Sequence, residues 1–166
     1  KPDAEIGAAR PYRDIAPVLF YGSSIVHGTA ASRPGTIYPS IISRELNIDF
    51  RNIGFSGMAK GEPALAKWMA SLPMSVFVCD YDHNAPNAEH LSKTHEAFFL
   101  RIREKQPDLP ILMMSRPQPR PTEEERERLA VVRATYENAL AAGDKNVYFI
   151  PGCELMQEMK NEGLVD

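Results

Sequence analysis

Cysteine is scarce in this chain of 166 residues, which has only Cys79 and Cys153. Two thiols cannot build a cysteine-rich metal site. A domain of this length also buries roughly 70% of the surface its unfolded chain exposes, so it needs no disulfide scaffold. Cys79 lies inside the apolar run "SVFVCDY" and is expected to be a buried free thiol. Cys153 follows a Pro-Gly pair and is read as structural. Runs of lysine and arginine are missing too. With a net charge of −3, this argues against nucleic acid or an anionic membrane surface as a partner. No apolar stretch is long enough to span a bilayer. The opening "KPDAEIGAARPYRD" lacks both an initiator methionine and the apolar centre of a signal peptide. The expectation is that a leader or a preceding domain has been removed, with a periplasmic or secreted location favoured over a cytoplasmic one.

What the chain does have is alternation. Short segments rich in β-branched and aromatic residues, "APVLFY" (16–21), "IDFRNI" (48–53), "SVFVCD" (75–80), "PILMMS" (110–115) and "NVYFIP" (146–151), read as strands. Several are almost continuously apolar, as strands buried on both faces of a parallel sheet are. Helical patterns lie between them at 38–46, 62–72, 87–106 and 122–143, and another begins at 154–163. The helix at 122–143 carries its own punctuation. Thr122 and Glu125 fit a capping box, glutamates follow at the positive end of the helix, and Gly143 suits a stop. Its Leu129, Val132, Tyr136 and Leu140 fall on one side and predict the packing face. The Pro-rich "SRPQPRPTEEE" (115–125) reads as a loop within the domain. These features predict one α/β domain, a three-layer sandwich around a flavodoxin-like, five-stranded parallel sheet.

In such sheets ligands bind past the carboxyl ends of the strands, near the switch in strand order. The loops after the first three strands therefore matter most: "GSSIVHG", "GFSGMAKGEP" and "DYDHNAPN". Ser23 or Ser24, at a strand-to-helix junction, would have backbone N–H groups beside its hydroxyl, though a serine there is also an ordinary N-cap. Glycines in the second loop let backbone N–H groups approach a ligand, or simply make turns. Asn84 in the third loop could donate to an oxyanion or close a turn.

Together these loops resemble the SGNH (GDSL-type) hydrolases, whose sequence blocks carry Ser, Gly, Asn and His. "VLFYGSSIVHG" is similar to the first block, with Ser24 at the nucleophile and Ser23 where the commoner pattern has aspartate. "NIGFSG" resembles the second, which places Gly57 at the oxyanion-hole glycine. "DYDHNAP" stands where Gly-x-Asn-Asp is usual, with Asn84 at the asparagine, Asp82 for the glycine and Ala85 for the aspartate. The wider stretch is similar to a bacterial subgroup with this variant third block. The resemblance covers roughly residues 11–166. It implies a serine-dependent acyl-ester hydrolase acting on an acylated carbohydrate or another short-chain ester through an acyl-enzyme, with no cofactor and no metal. The oxyanion hole would be Ser24, Gly57 and Asn84, supported by Ser23, Asp82 and His83.

A serine hydroxyl needs a general base. In the family it comes from a late Asp-x-x-His block; Asp166 in the closing "NEGLVD" matches that aspartate, and its histidine would follow. The four histidines present, His27, His83, His90 and His95, do not fit the block. The expectation is that the biological protein continues beyond Asp166. Among the histidines in hand His83, beside Asn84, is the nearest substitute, followed by His27. Three other readings stand beside the esterase: acyl transfer to a sugar, a non-catalytic glycan-binding domain, and a divalent-cation site built from Asp80, Asp82, His83 and one of His90 or His95. Phosphate-loop glycine spacing and its lysine are absent, which argues against nucleotide or flavin binding.

Overall fold

The computed structural model describes residues 7–158. Its chain order is β1 (Val18–Gly22), α1 (Ser24–His27), a 3₁₀ turn (Pro34–Thr36), α2 (Tyr38–Leu46), β2 (Phe50–Gly54), α3 (Pro63–Ala70) and β3 (Val76–Asp80). A second 3₁₀ turn (Asp82–Asn84) follows, then α4 (Ala88–Lys105), β4 (Ile111–Met114), α5 (Glu123–Ala141), β5 (Val147–Ile150) and α6 (Gly152–Glu158). All four strand pairings are parallel, in the order β2-β1-β3-β4-β5. This is the flavodoxin-like order, and the five strands coincide with the five apolar segments of the sequence.

Alternation along each strand divides the core into two layers. Leu19 and Tyr21 of β1, and Phe77 and Cys79 of β3, face α3, α4 and α5, where Met69, Leu91, Phe98, Ile102 and Val132 are buried. Val18, Phe20 and Val78 point the other way, toward Val26 of α1 and Tyr38 and Ile42 of α2. Each fully buried large side chain contributes about 1.5–3 kcal/mol of transfer free energy. Tyr21 adds a parallel stack on Phe98, with ring centroids 4.9 Å apart.

The termini of the helices follow the sequence signals. Thr122 caps α5 in a complete capping box with Glu125, and Gly143 sits just past its end with φ +88°. The packing face of α5 keeps Val132, with Leu129 and Tyr136 half-buried, but is turned away from Leu140. Its buried residues are Arg128, Val132, Thr135 and Ala139, while Leu140 is 45% exposed. The face is turned because Arg128 reaches the loop after β3 and Thr135 bonds His95 of α4 at 2.9 Å. Both cysteines are free, Cys79 buried and Cys153 half-buried. Burial also raises the Cys79 thiol well above its ordinary pKa. α6 begins two residues before the expected start, and the later part of that segment lies outside the described residues. Among the described residues, no helix is long and apolar enough to cross a membrane.

Candidate active site

Three adjacent strands, β2, β1 and β3, end at one edge, and their following loops meet there. The backbones of β1 and β3 approach so closely that a Cβ on Gly22 would run into the Asp80 carbonyl and the Val26 side chain. Only glycine fits, and the chain turns out of the sheet immediately after it. Ser23 is fully buried in that turn: its N–H donates to the Asp80 carbonyl at 3.1 Å, and its hydroxyl accepts from the Ile25 N–H at 3.2 Å as the N-cap of α1. Ser24, the first residue of α1, is half-buried at the strand end. The two serines thus divide the work, one closing the turn and the other standing at the edge of the sheet.

The second loop is stitched to the first by the Phe55 N–H, which donates to the Gly22 carbonyl at 2.8 Å. Gly57 follows with φ +70°, in the left-handed region, exposed and with open space around it. The third loop closes over both. The Asn84 amide oxygen accepts from the Ala59 N–H at 3.4 Å, and no protein acceptor takes its amide nitrogen among the described residues. Ser24, Gly57 and Asn84 therefore lie on neighbouring loops along one edge.

The third loop is held by charges. Asp82, 3% exposed, accepts the His83 N–H at 2.8 Å and the Arg116 N–H at 3.1 Å, and its Oδ1 lies 3.1 Å from His83 Nδ1. Arg128 donates to the carbonyls of Asp82 (2.8 Å), Ala85 and Pro86 (3.2 Å) and pairs with Glu124 at 2.6 Å. Deeper, Asp80 is buried with one oxygen accepting the Tyr38 hydroxyl at 3.1 Å and the other without a partner. Burial, and then the Asp82 charge, push its carboxyl up to about 6.

Among the described residues none of the four histidines bonds Ser24. His83 is fixed on Asp82, its Nε2 buried and unpartnered; His90 Nε2 meets the Lys60 carbonyl at 2.9 Å; His95 bonds Thr135; and His27 is exposed at the end of α1. Asp166 lies outside the described residues. Asp80, Asp82 and His83 bring potential ligand atoms within 4.8 Å of one another, whereas His90 and His95 are engaged elsewhere and do not join them. A cavity of about 20 Å³ lined by His83, Ser115, Arg128 and Cys153 has room for about one water and is no substrate pocket. Sequence reasoning overlooked Arg128 and Tyr38. The signal for Arg128 was an arginine at helical spacing from Val132, Thr135 and Ala139.

An all-parallel sheet in this strand order, with serine, glycine and asparagine on its first three carboxyl-end loops, has the architecture of the SGNH class of hydrolases. The chain belongs to the GDSL-like Lipase/Acylhydrolase family, whose model it matches over residues 16–166. Among solved structures it is similar to a Bacteroides ovatus protein described as a GDSL-like lipase (29% identity, TM-score 0.76, covering 86% of this chain and 44% of that one). It shares the fold of the salicylyl-acyltransferase SsfX3 from a tetracycline biosynthetic pathway (21%, TM-score 0.75, 84% and 43%). It also shares the fold of a family two carbohydrate esterase from Clostridium thermocellum, solved with cellohexaose (17%, TM-score 0.66, 88% and 56%). The chain spans less than half the length of the first two. No curated protein matches it.

Proposed function

We propose that this domain is a serine-dependent acyl-ester hydrolase with Ser24 as its nucleophile. The observation that carries the reading is the convergence of Ser24, Gly57 and Asn84 from three successive loops, with Asn84 braced through its oxygen so that its N–H₂ is left to donate. Ser24 Oγ attacks the ester carbonyl carbon as its proton passes to the base. The carbonyl π pair moves onto oxygen, which the N–H groups of Ser24 and Gly57 and the Asn84 amide hold. Collapse expels the alcohol, which takes the proton, and water then releases the acyl group from Ser24 by the reverse sequence. A histidine paired with Asp166 is the base in this scheme, and Ser23, Asp82 and His83 hold the loops. The alcohol is a carbohydrate or another small molecule, a class supported by the fold shared with a carbohydrate esterase. An alcohol replacing water in the last step would make the same site an acyltransferase.

The test is labelling of the full-length protein with a fluorophosphonate, with peptide mapping and ester assays alongside. A single adduct on Ser24, and loss of both label and hydrolysis in a folded Ser24→Ala variant, is the expected result. Hydrolysis retained in that variant would remove Ser24 as nucleophile. An unlabelled protein that binds sugars saturably without turnover would favour the glycan-binding reading.

A further inference from the structure

Gly57 stands at an exposed tip of the second loop, and no protein acceptor takes its N–H among the described residues. The place of that N–H is therefore set by the anchors on either side of the tip. Before it, the Phe55 N–H donates to the Gly22 carbonyl at 2.8 Å. After it, three consecutive residues each bond a different element. The Ala59 N–H donates to Asn84 of the third loop at 3.4 Å, and the Gly61 N–H donates to the Tyr21 hydroxyl of β1 at 2.9 Å. Between them the Lys60 carbonyl lies 2.9 Å from Nε2 of His90, which is half-buried in the first turn of α4. His90 is itself held in place. Its backbone N–H donates to the side chain of Asn87, the N-cap of α4, at 2.8 Å. One turn on, the Thr94 hydroxyl donates to the His90 carbonyl at 3.0 Å and lies 3.1 Å from the hydroxyl of Tyr81, the residue before the Asp82–Asn84 turn. The second and third loops thus share α4 as their reference.

We infer that His90 is a positioning residue for the proposed hydrolysis: its Nε2–H on the Lys60 carbonyl fixes the second loop against α4, and so sets the Gly57 N–H relative to Asn84. This inference rests on the esterase reading of Ser24, Gly57 and Asn84. A carbonyl oxygen can only accept, so Nε2 carries the proton of this bond in either charge state of the ring. While the bond stands, that nitrogen is not free to take a proton from Ser24. His90 therefore acts through Lys60. The other short anchor, Tyr21, is buried and stacked on Phe98, so replacing it would disturb the core as well as the loop. Misplacing a catalytic group by about 1 Å costs on the order of a hundredfold in rate, which gives one anchor a measurable effect.

The experiment measures kcat and KM of the full-length protein for 4-nitrophenyl acetate over a range of pH, in the native chain and in His90→Leu, His90→Gln and His90→Glu. Glutamine carries an N–H₂ at nearly the reach of Nε2, and ionised glutamate matches its shape but offers the carbonyl no proton. The expected result is a fall in kcat of about tenfold to a hundredfold in His90→Leu and His90→Glu, with KM little changed. His90→Gln should recover most of that loss and keep the native pH profile. Urea midpoints show which variants are folded, and where His90→Leu is not, the glutamine and glutamate pair decides. Native kcat in the variants without a donor, a loss confined to KM, a loss in His90→Gln as large as theirs, or a shifted pH profile in His90→Gln would overturn the positioning role. Ser24 still labelled by fluorophosphonate would then leave the esterase reading standing. Absence of both turnover and label in the native protein would overturn the two together.

Discussion

At the scale of single residues, the unusual Ser-Ser pair after β1 is explained by the division between a buried cap and a half-buried neighbour. Ser23 caps α1 with its hydroxyl and ties its N–H to the Asp80 carbonyl, so the turn keeps its hydrogen bonds without a carboxylate. Asn84 is the side chain whose replacement tests the proposed oxyanion hole. In Asn84→Ala the loop loses its bond to Ala59, and in the proposed mechanism the oxyanion loses one of three donors while the backbone N–H groups of Ser24 and Gly57 remain. Turnover is expected to fall by about two to three powers of ten in kcat with KM little changed. Steady-state kinetics on a short ester checks this; a change confined to KM would mean that Asn84 only binds substrate.

At the scale of elements, the loop after β3 depends on a helix far away in sequence. Arg128 on α5, 7% exposed, satisfies three backbone carbonyls of residues 82–86 and fixes the short 3₁₀ turn that presents Asn84. Arg128→Met fills the space but leaves those acceptors without donors, so a loss of about 2–4 kcal/mol is expected. Arg128→Lys should not restore it, since one ammonium cannot replace a planar fork serving several carbonyls. Urea midpoints read the stability, and the rate of fluorophosphonate labelling reads the site. Much of this level was legible in the sequence: strands from apolar runs, α5 from its capping box, and the three loops from the rule for parallel sheets. The face of α5 was legible only in part. A stripe of Leu129, Val132, Tyr136 and Leu140 is the obvious apolar choice, but a buried guanidinium turns the helix, and its carbonyl partners belong to a loop more than forty residues away. The burial of Asp80 was equally hidden, because a carboxylate at the end of a strand reads as accessible until the neighbouring strand and Tyr38 enclose it.

At the scale of the whole molecule, two buried titratable groups oppose each other in the dependence of stability on pH. Asp80 is raised from its ordinary 3.8 to about 6 by burial and then by the charge of Asp82. The folded state therefore binds more protons there than the unfolded chain between those values. Its contribution is fully present below about 3.8 and is lost as pH rises through 6. His95 is lowered from 6.5 to about 4 by burial, packed between Tyr81 and Thr135, and the unfolded chain binds the extra proton. That contribution is present above about 6.5 and is lost as pH falls through 4. Each shift corresponds to about 3 kcal/mol, and the two windows overlap almost completely, so their slopes nearly cancel in the native protein between pH 4 and 6.5. Removing one uncovers the other. Asp80→Asn, which keeps the Tyr38 bond, is expected to gain stability by about 3 kcal/mol relative to the native protein as pH rises from 4 to 6.5. His95→Gln is expected to lose a similar amount over the same range. Urea unfolding of the three proteins at half-unit steps of pH checks both signs. Parallel curves for the native protein and Asp80→Asn would mean that Asp80 titrates near its ordinary value, and that its unpartnered oxygen is solvated rather than held away from water.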